Sequence, residues 1–403
     1  MTTKSIRRRL RDRISLSPSA GAALWVIVAS GTLTVMAGAI LGPVVNQIQS
    51  GLGVSQSLAG LIITTHGLFI VLTSPIAGVL IDRYGPRKPY ILGLIVYAVA
   101  GGAGLVVTSF PVLLVTRAAL GVAVAFVYTG VTVLIYNLYE GRRKDRAMGL
   151  RASANSVGAS VWPLVGGILG TLSWQVPFGV YLIGLPLGVL AFLFVPEPAM
   201  ASTSSETDES SSSLGALVDV ITGTPLLVFV YLLYFLANVL LYSIIVFYPG
   251  VLATFGIESS FQISLYLSAM GVAGGVSAAL YDRVRQRFSY GQLARIALVL
   301  WTIGFAIVPI AESPLVAILP VVLFGLGQGL VFPTAMLWVE ELVPPDRKGQ
   351  FSSYIAMFGY VGQFLSPVLF GPVAAGFGVA AVFGVAAGVV ATLLVGTTVW
   401  YLA

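Results

Sequence analysis

The chain has 403 residues, 57% of them hydrophobic and only 9% charged, about a third of the ~25% carried by soluble domains, so a soluble core could not hide its apolar surface. Its formal charge of +6 is a matter of membrane topology and gives no ground for a nucleic-acid partner. The absence of cysteine excludes disulfides, thiolate metal sites and thiol nucleophiles, a single histidine argues against any metal centre, and no cofactor is expected.

Residues 1–19 form a basic tail containing Lys4, Arg7, Arg8, Arg9, Arg11 and Arg13. Crossing ~30 Å of hydrocarbon takes about 20 apolar residues, and the chain offers that length twelve times. The first half, 20–195, holds spans at 20–45, 56–81, 88–109, 110–139, 146–171 and 174–195. Residues 196–223 break the pattern with an acidic, serine-rich run that lacks aromatic residues, which predicts a flexible linker. The second half, 224–403, holds spans at 224–254, 260–281, 291–311, 313–342, 350–375 and 377–402. None of these runs alternates with the period of a barrel strand, so the fold class is an all-α integral membrane protein of twelve transmembrane helices.

The loops repeat at half the length of the chain. Asp82-Arg83 recurs as Asp282-Arg283 and Asp145-Arg146 as Asp346-Arg347, which predicts two pseudo-symmetric six-helix halves. Lys and Arg cluster in the tail, at Arg83 to Lys88, at Arg142 to Arg151, at Arg283 to Arg295 and at Arg347-Lys348. Loops near 46–55, 171–175 and 255–260 have none, so both termini are expected in the cytoplasm and the protein in the cell membrane. The basic start reads as the flank of an uncleaved first helix, because a full-length span follows it.

Gly78-Val79-Leu80-Ile81-Asp82-Arg83-Tyr84-Gly85-Pro86-Arg87-Lys88 resembles the loop between helices 2 and 3 of the major facilitator superfamily. A glycine there lets helices approach, and the acid and the basic residues can pair with a neighbouring helix end, contacts that hold one face shut until it opens. In the second copy Ala278 replaces the glycine. Gly149, Gly158, Trp162-Pro163 and Gly166-Gly167 resemble the helix 5 signature of the superfamily's drug:proton antiporters, where position 162 would be glycine. That helix is expected to kink at Pro163, pack along its counterpart in the other half and seal the cytoplasmic route. Arg117, three residues and Gly121 resemble the helix 4 pattern of the same exporters, in which such an arginine is linked to proton movement or substrate charge.

The carboxylates all fall in loops, at helix ends or in the linker. Within the membrane His66 is the one side chain whose unperturbed pKa suits a physiological switch, so His66 and Arg117 are the candidate coupling residues. The resemblance implies a central cavity lined mainly by helices 1, 4, 7 and 10. Tyr231, Tyr234, Asn238 and Tyr242 share one helical face, Tyr128 lies on helix 4, and Gln328 and Gln363 are polar groups in apolar surroundings. With Arg117 and no acid inside, neutral, amphipathic or anionic substrates are expected. The implied function is alternating-access secondary transport by a monomer in the lipid bilayer, as proton-driven efflux of drug-like or small organic compounds. Uptake symport or facilitated exchange of a small organic solute stays open. A membrane enzyme would need a convergent nucleophile, base or metal set, and a sensor an output domain; an ATP-driven pump would need a GxxxxGK[ST] loop, which does not occur.

Overall fold

A computed structural model describes residues 18–198, 224–344 and 347–402. Most of the basic tail, the linker from 199 to 223 and Asp346 of the second loop repeat lie outside the described residues. Among the described residues twelve principal helices follow in order, besides two short ones, Val45–Leu52 and Tyr281–Arg285. In the first half they are α1 (Pro18–Ala39), α2 (Gln56–Tyr84), α3 (Arg87–Gly102), α4 (Phe110–Leu138), α5 (Gly141–Gly170) and α6 (Gly184–Phe194). In the second they are α7 (Pro225–Thr254), α8 (Ser260–Ala279), α9 (Tyr290–Ile307), α10 (Ile318–Leu342), α11 (Lys348–Phe377) and α12 (Val379–Leu402). Lipid offers no partner to a backbone amide or carbonyl, and a continuous helix satisfies both internally.

Departures from the predicted spans have local causes. The first span bends after Ala39 through a 3-10 turn at Gly42–Val44, where Pro43 removes a donor, and continues as a short helix Val45–Leu52. The sixth begins as the 3-10 segment Val176–Ile183 before α6. α5 starts at Gly141 instead of 146, so Arg142, Arg143 and Lys144 ride on its first turn and not in a loop. α5 is not among the eleven described helices apolar enough to cross a membrane by composition alone: even its charge-free stretch after Arg151 is diluted by Ser153, Asn155, Ser156, Ser160 and several glycines. It is nevertheless 30 residues long and packs against both α1 and α8.

Four hydrophobic clusters form among the described residues; the two larger lie one in each half, the first also taking in Tyr242 and Ile245 of α7. In the first, Tyr90 and Tyr97 of α3 and Tyr181 reach α1, donating to Ser30 Oγ (2.7 Å), Leu33 O (2.8 Å) and Ala37 O (2.8 Å). Each buried hydroxyl thereby finds an acceptor and fixes α1 against its bundle. In the second, Trp301 donates to Phe324 O at 3.0 Å, and Tyr248 donates to Ala317 O.

Between the halves the principal meetings are α5 with α8 and α2 with α11. These are one contact made twice. Ser260 at the start of α8 sits on Gly170 of α5, and Ser57 at the start of α2 sits on Gly371 of α11. Exchanging the halves converts one pair into the other, as a pseudo-two-fold axis requires. The loop motifs obey the same relation: Asp82 lies in the last turn of α2, and Asp282 follows α8 in a short helix, Tyr281–Arg285.

Candidate functional site

The face carrying the arginine-rich loops is called the basic face below. A cavity of about 810 Å³ lies between the halves. It is walled by α1, α4, α5 and by α7, α8, α10 and α11, and it extends to Tyr281, Asp282 and Leu337 at the basic ends of their elements.

Toward the opposite face the halves close on each other. Asn46 Nδ2 donates to Pro249 O at 2.9 Å, Gln56 Nε2 to Val246 O at 3.0 Å, and Ser260 Oγ to Gly167 O at 2.9 Å. The glycines explain the closeness: a Cβ on Gly167 would lie 2.3 Å from Ser264 Cβ and 2.6 Å from Ser260 O, and one on Gly60 would lie 2.9 Å from Pro367 Cβ. The same four helices carry glycines nearer the basic face that touch nothing. Gly78 on α2, Gly149 on α5, Gly275 on α8 and Gly349 on α11 each look onto open space.

The helix 5 motif lies among these contacts. Gly166 and Gly167 pack on Ile40 and on α8 at the end of α5 away from the basic loops, so in this state they seal that face and leave the basic face open. The reason is position along the helix: Pro163 and the paired glycines lie in its last turns. Gly158 is covered by the indole of Trp162 from its own helix, which fills the place a smaller residue would leave empty.

Of the residues read as cavity-lining, Tyr128, Tyr234, Asn238, Tyr242, Gln328 and Gln363 are in the wall. Gln363 Nε2 donates to Asn238 Oδ1 at 3.2 Å, and Asn238 Nδ2 donates to Tyr234 O at 2.9 Å, which joins α11 to α7 through a side-chain amide pair. Gln363 Oε1 is buried and unpartnered among the described residues. Tyr231 is elsewhere. It is buried, donates to Phe351 O at 3.0 Å and stacks on Phe358 with centroids 5.2 Å apart, so it is a packing residue between α7 and α11.

Arg117 also stands apart from the cavity. Fully buried, it donates to Ala100 O (3.1 Å) and Gly101 O (2.7 Å) and lies between the rings of Phe178 and Tyr181 at 4.9 and 5.0 Å. Carbonyls and two π-faces stabilise the cation there. His66 is buried behind the wall, with Nδ1 unpartnered among the described residues. Its nearest link to the wall is packing against Gly38 and Tyr242. A Cβ on Gly38 would meet both the Tyr242 hydroxyl at 2.3 Å and His66 Cε1 at 3.2 Å, so those two side chains converge on a bare glycine.

Two charged groups replace Arg117 in the electrostatics of the site. Asp282, read as part of a loop echo, lines the cavity mouth. Arg151, counted among the loop cations, is 7% exposed, donates to Thr132 Oγ1 at 2.7 Å and lies 4.8 Å over the ring of Tyr128, whose hydroxyphenyl forms part of the wall. At the α2–α3 junction, Asp82, Arg83 and Lys88 are exposed, and Arg83 lies over Tyr84. Arg87 donates to Phe192 O at 2.5 Å, and Gly85 turns with φ +80° against the Glu197 carboxylate. The left-handed turn and the tight approach both require glycine there.

The Major Facilitator Superfamily model matches residues 27–367. Multidrug resistance protein 1 of Bacillus subtilis (strain 168) is 23% identical over 332 residues, 82% of this chain and 84% of that protein. Quinolone resistance protein NorA of Staphylococcus aureus (strain MRSA252) is 24% identical over 346 residues, with the same coverage of 82% and 84%. Among solved structures, a bacterial homolog of the human lysosomal transporter Spinster, in an inward-facing and unoccupied conformation, superimposes with a TM-score of 0.76 at 17% identity over 95% of each chain.

Proposed function

The chain belongs to the major facilitator superfamily, and on that premise we propose that it exports drug-like or small organic compounds from the cytoplasm by alternating access, driven by exchange for protons. It is a multi-pass membrane transporter and not an enzyme. The observation that carries the proposal is the central cavity, about 810 Å³, reaching the basic face and closed off from the other by the α5–α8 and α2–α11 contacts. The excess of Lys and Arg assigns the basic face to the cytoplasm, with both termini on that side. In this arrangement the structure is the inward-facing state, loading from inside, and a single copy contains the whole path. The names of the relatives, a multidrug and a quinolone resistance protein, support a drug-like cargo.

The wall decides which cargo fits. Tyrosine rings and side-chain amides offer stacking and a few hydrogen bonds to a largely apolar solute. Anionic substrates were expected on the premise that Arg117 faces the cavity. With Arg117 turned into the packing of α3 against the segment Val176–Ile183, Arg151 lies against the wall at Tyr128 and Asp282 at the mouth; these two opposite charges offset one another, and neutral and amphipathic compounds are favoured. His66, buried behind the wall and packed with Tyr242 at Gly38, is the residue to which proton coupling falls in this reading.

The test is transport in proteoliposomes against a compound panel, with pH gradients of both signs imposed. With the cytoplasmic face outward, an acidic lumen should drive accumulation and an alkaline lumen should not. His66→Gln should flatten the pH dependence of transport. Accumulation driven in the same direction as the proton gradient would make the chain a symporter, and accumulation indifferent to both gradients a facilitator; either result ends the export proposal.

A further inference from the structure

We propose that a second crevice, at the basic ends of α7, α9, α10 and α12, binds the net anionic headgroup of a membrane phospholipid whose phosphodiester is its one charge. It measures about 340 Å³ and shares no lining residue with the central cavity. Two guanidiniums, Arg285 and Arg295, and one carboxylate, Glu341, line it. The balance of one positive charge matches a phosphodiester, which carries one negative charge.

The arginines are held in place before any ligand arrives. Arg285 lies 3.9 Å over the ring of Tyr290 and donates from Nη1 to Phe288 O at 3.2 Å, while its Nε is buried and finds no partner among the described residues. Arg295 Nε donates to Gly291 O at 3.3 Å, one turn back along α9. Ser289, Tyr290 and Gly291 also line the crevice, so the capped N-terminus of this 18-residue helix, its positive end, borders the same space. Trp338 closes one side, 5.7 Å from the Tyr290 ring and 6.1 Å from Phe229.

A lipid, and not a free phosphate compound, is the occupant that uses the whole site. Leu226 and Phe229 extend the lining with apolar surface. On the flanking helix α7, Leu232, about one turn on from Phe229, is 51% exposed, a surface for an acyl chain at the edge of the bundle. Trp338, Tyr290 and the two arginines are the residue types that settle at headgroup depth. Occupancy would bear on the transport path, because Arg285 closes the short helix Tyr281–Arg285 whose Tyr281 and Asp282 line the central cavity mouth.

Native mass spectrometry of the full chain in detergent, titrated with dioleoyl phosphatidylglycerol, dioleoyl phosphatidylcholine or glycerol 1-phosphate, tests this. One phosphatidylglycerol should bind, and Arg285→Ala/Arg295→Ala should weaken it at least tenfold, on the order expected for loss of charge-assisted bonds. Arg287→Ala, an exposed arginine of the same loop outside the crevice, should change nothing. Millimolar glycerol 1-phosphate should fail to displace the lipid. Unchanged affinity in the double variant, or displacement by glycerol 1-phosphate, would overturn the proposal. A readout that leaves the arginines intact is quenching by brominated-chain lipid in nanodiscs. Brominated phosphatidylglycerol should quench the wild type more than brominated phosphatidylcholine does, and that excess should vanish in Trp338→Phe. Equal quenching by the two lipids would also overturn it.

Discussion

Substituting Gly167 by alanine should push the transporter out of the state in which its basic face is open. The added methyl would arrive 2.3 Å from Ser264 Cβ and 2.6 Å from the backbone carbonyl of Ser260. A side chain could turn aside, but a carbonyl inside a helix cannot, so α5 and α8 must separate. Overpacking of this kind costs roughly 1–3 kcal/mol, and the cost falls on the state in which these helices touch. Taking about 2 kcal/mol, the ratio of outward- to inward-facing molecules rises about thirtyfold. Gly149→Ala is the counterpart: nothing lies within 4 Å of that position here, so its cost falls on the state in which the basic face closes. The chain has no cysteine, so an introduced Ile245→Cys, in the cavity wall below the seal, is the sole thiol. Its labelling by an impermeant maleimide applied from outside should rise at least tenfold with Gly167→Ala and not rise with Gly149→Ala. Equal labelling in Gly167→Ala and its parent would refute the argument.

Asp282→Asn should raise KM for cationic compounds and leave neutral ones nearly unchanged, measured by uptake into the same proteoliposomes. Asp82→Asn should slow turnover more than it weakens substrate binding, since Asp82 is exposed at the open face and outside the cavity wall; rates equal to wild type would exclude a gating role. Arg117→Ala removes two charge-assisted hydrogen bonds to Ala100 and Gly101, each worth about 1.5–3 kcal/mol, and should lower the melting temperature as well as transport. Asn238→Ala should alter substrate preference by freeing Gln363, whereas Tyr231→Phe should cost about 1 kcal/mol of stability and leave preference intact.

Most of the architecture was legible because the bilayer imposes a length on each helix and the duplicated loops reveal the repeat. Span edges moved where the rule of apolar length met local chemistry, as at Gly141, where basic residues belong to the helix, and at Pro43, where a proline bends it. The site was legible in part. The spacing of Tyr231, Tyr234, Asn238 and Tyr242 gives a face of α7 but not the depth at which that face stops meeting α11 and begins to meet the cavity. Tyr231 falls on the packed side of that limit. Arg117 announced a buried charge, yet nothing in the linear pattern says that its partners are the carbonyls of α3. Asp282 and Arg151 were hidden by their surroundings, since arginine-rich stretches read as loops. That Arg151 lies several turns inside α5, on a face with Asn155, was the available signal.

The paired serine–glycine contacts bear on leakage. Ser57 on Gly371 and Ser260 on Gly170 stand on either side of the axis between two bundles, each with its own packed core. Close-packed bundles move as bodies, so one latch cannot release while the other holds without shearing a core. Both must let go in one stroke. On the proposed alternating access, the same rotation would bring the bare glycine faces of α2, α5, α8 and α11 together across the basic mouth as the opposite contacts part. A conformation open at both ends would forfeit the two sets of contacts at once, so the membrane stays proof against ions while each molecule of cargo is carried across.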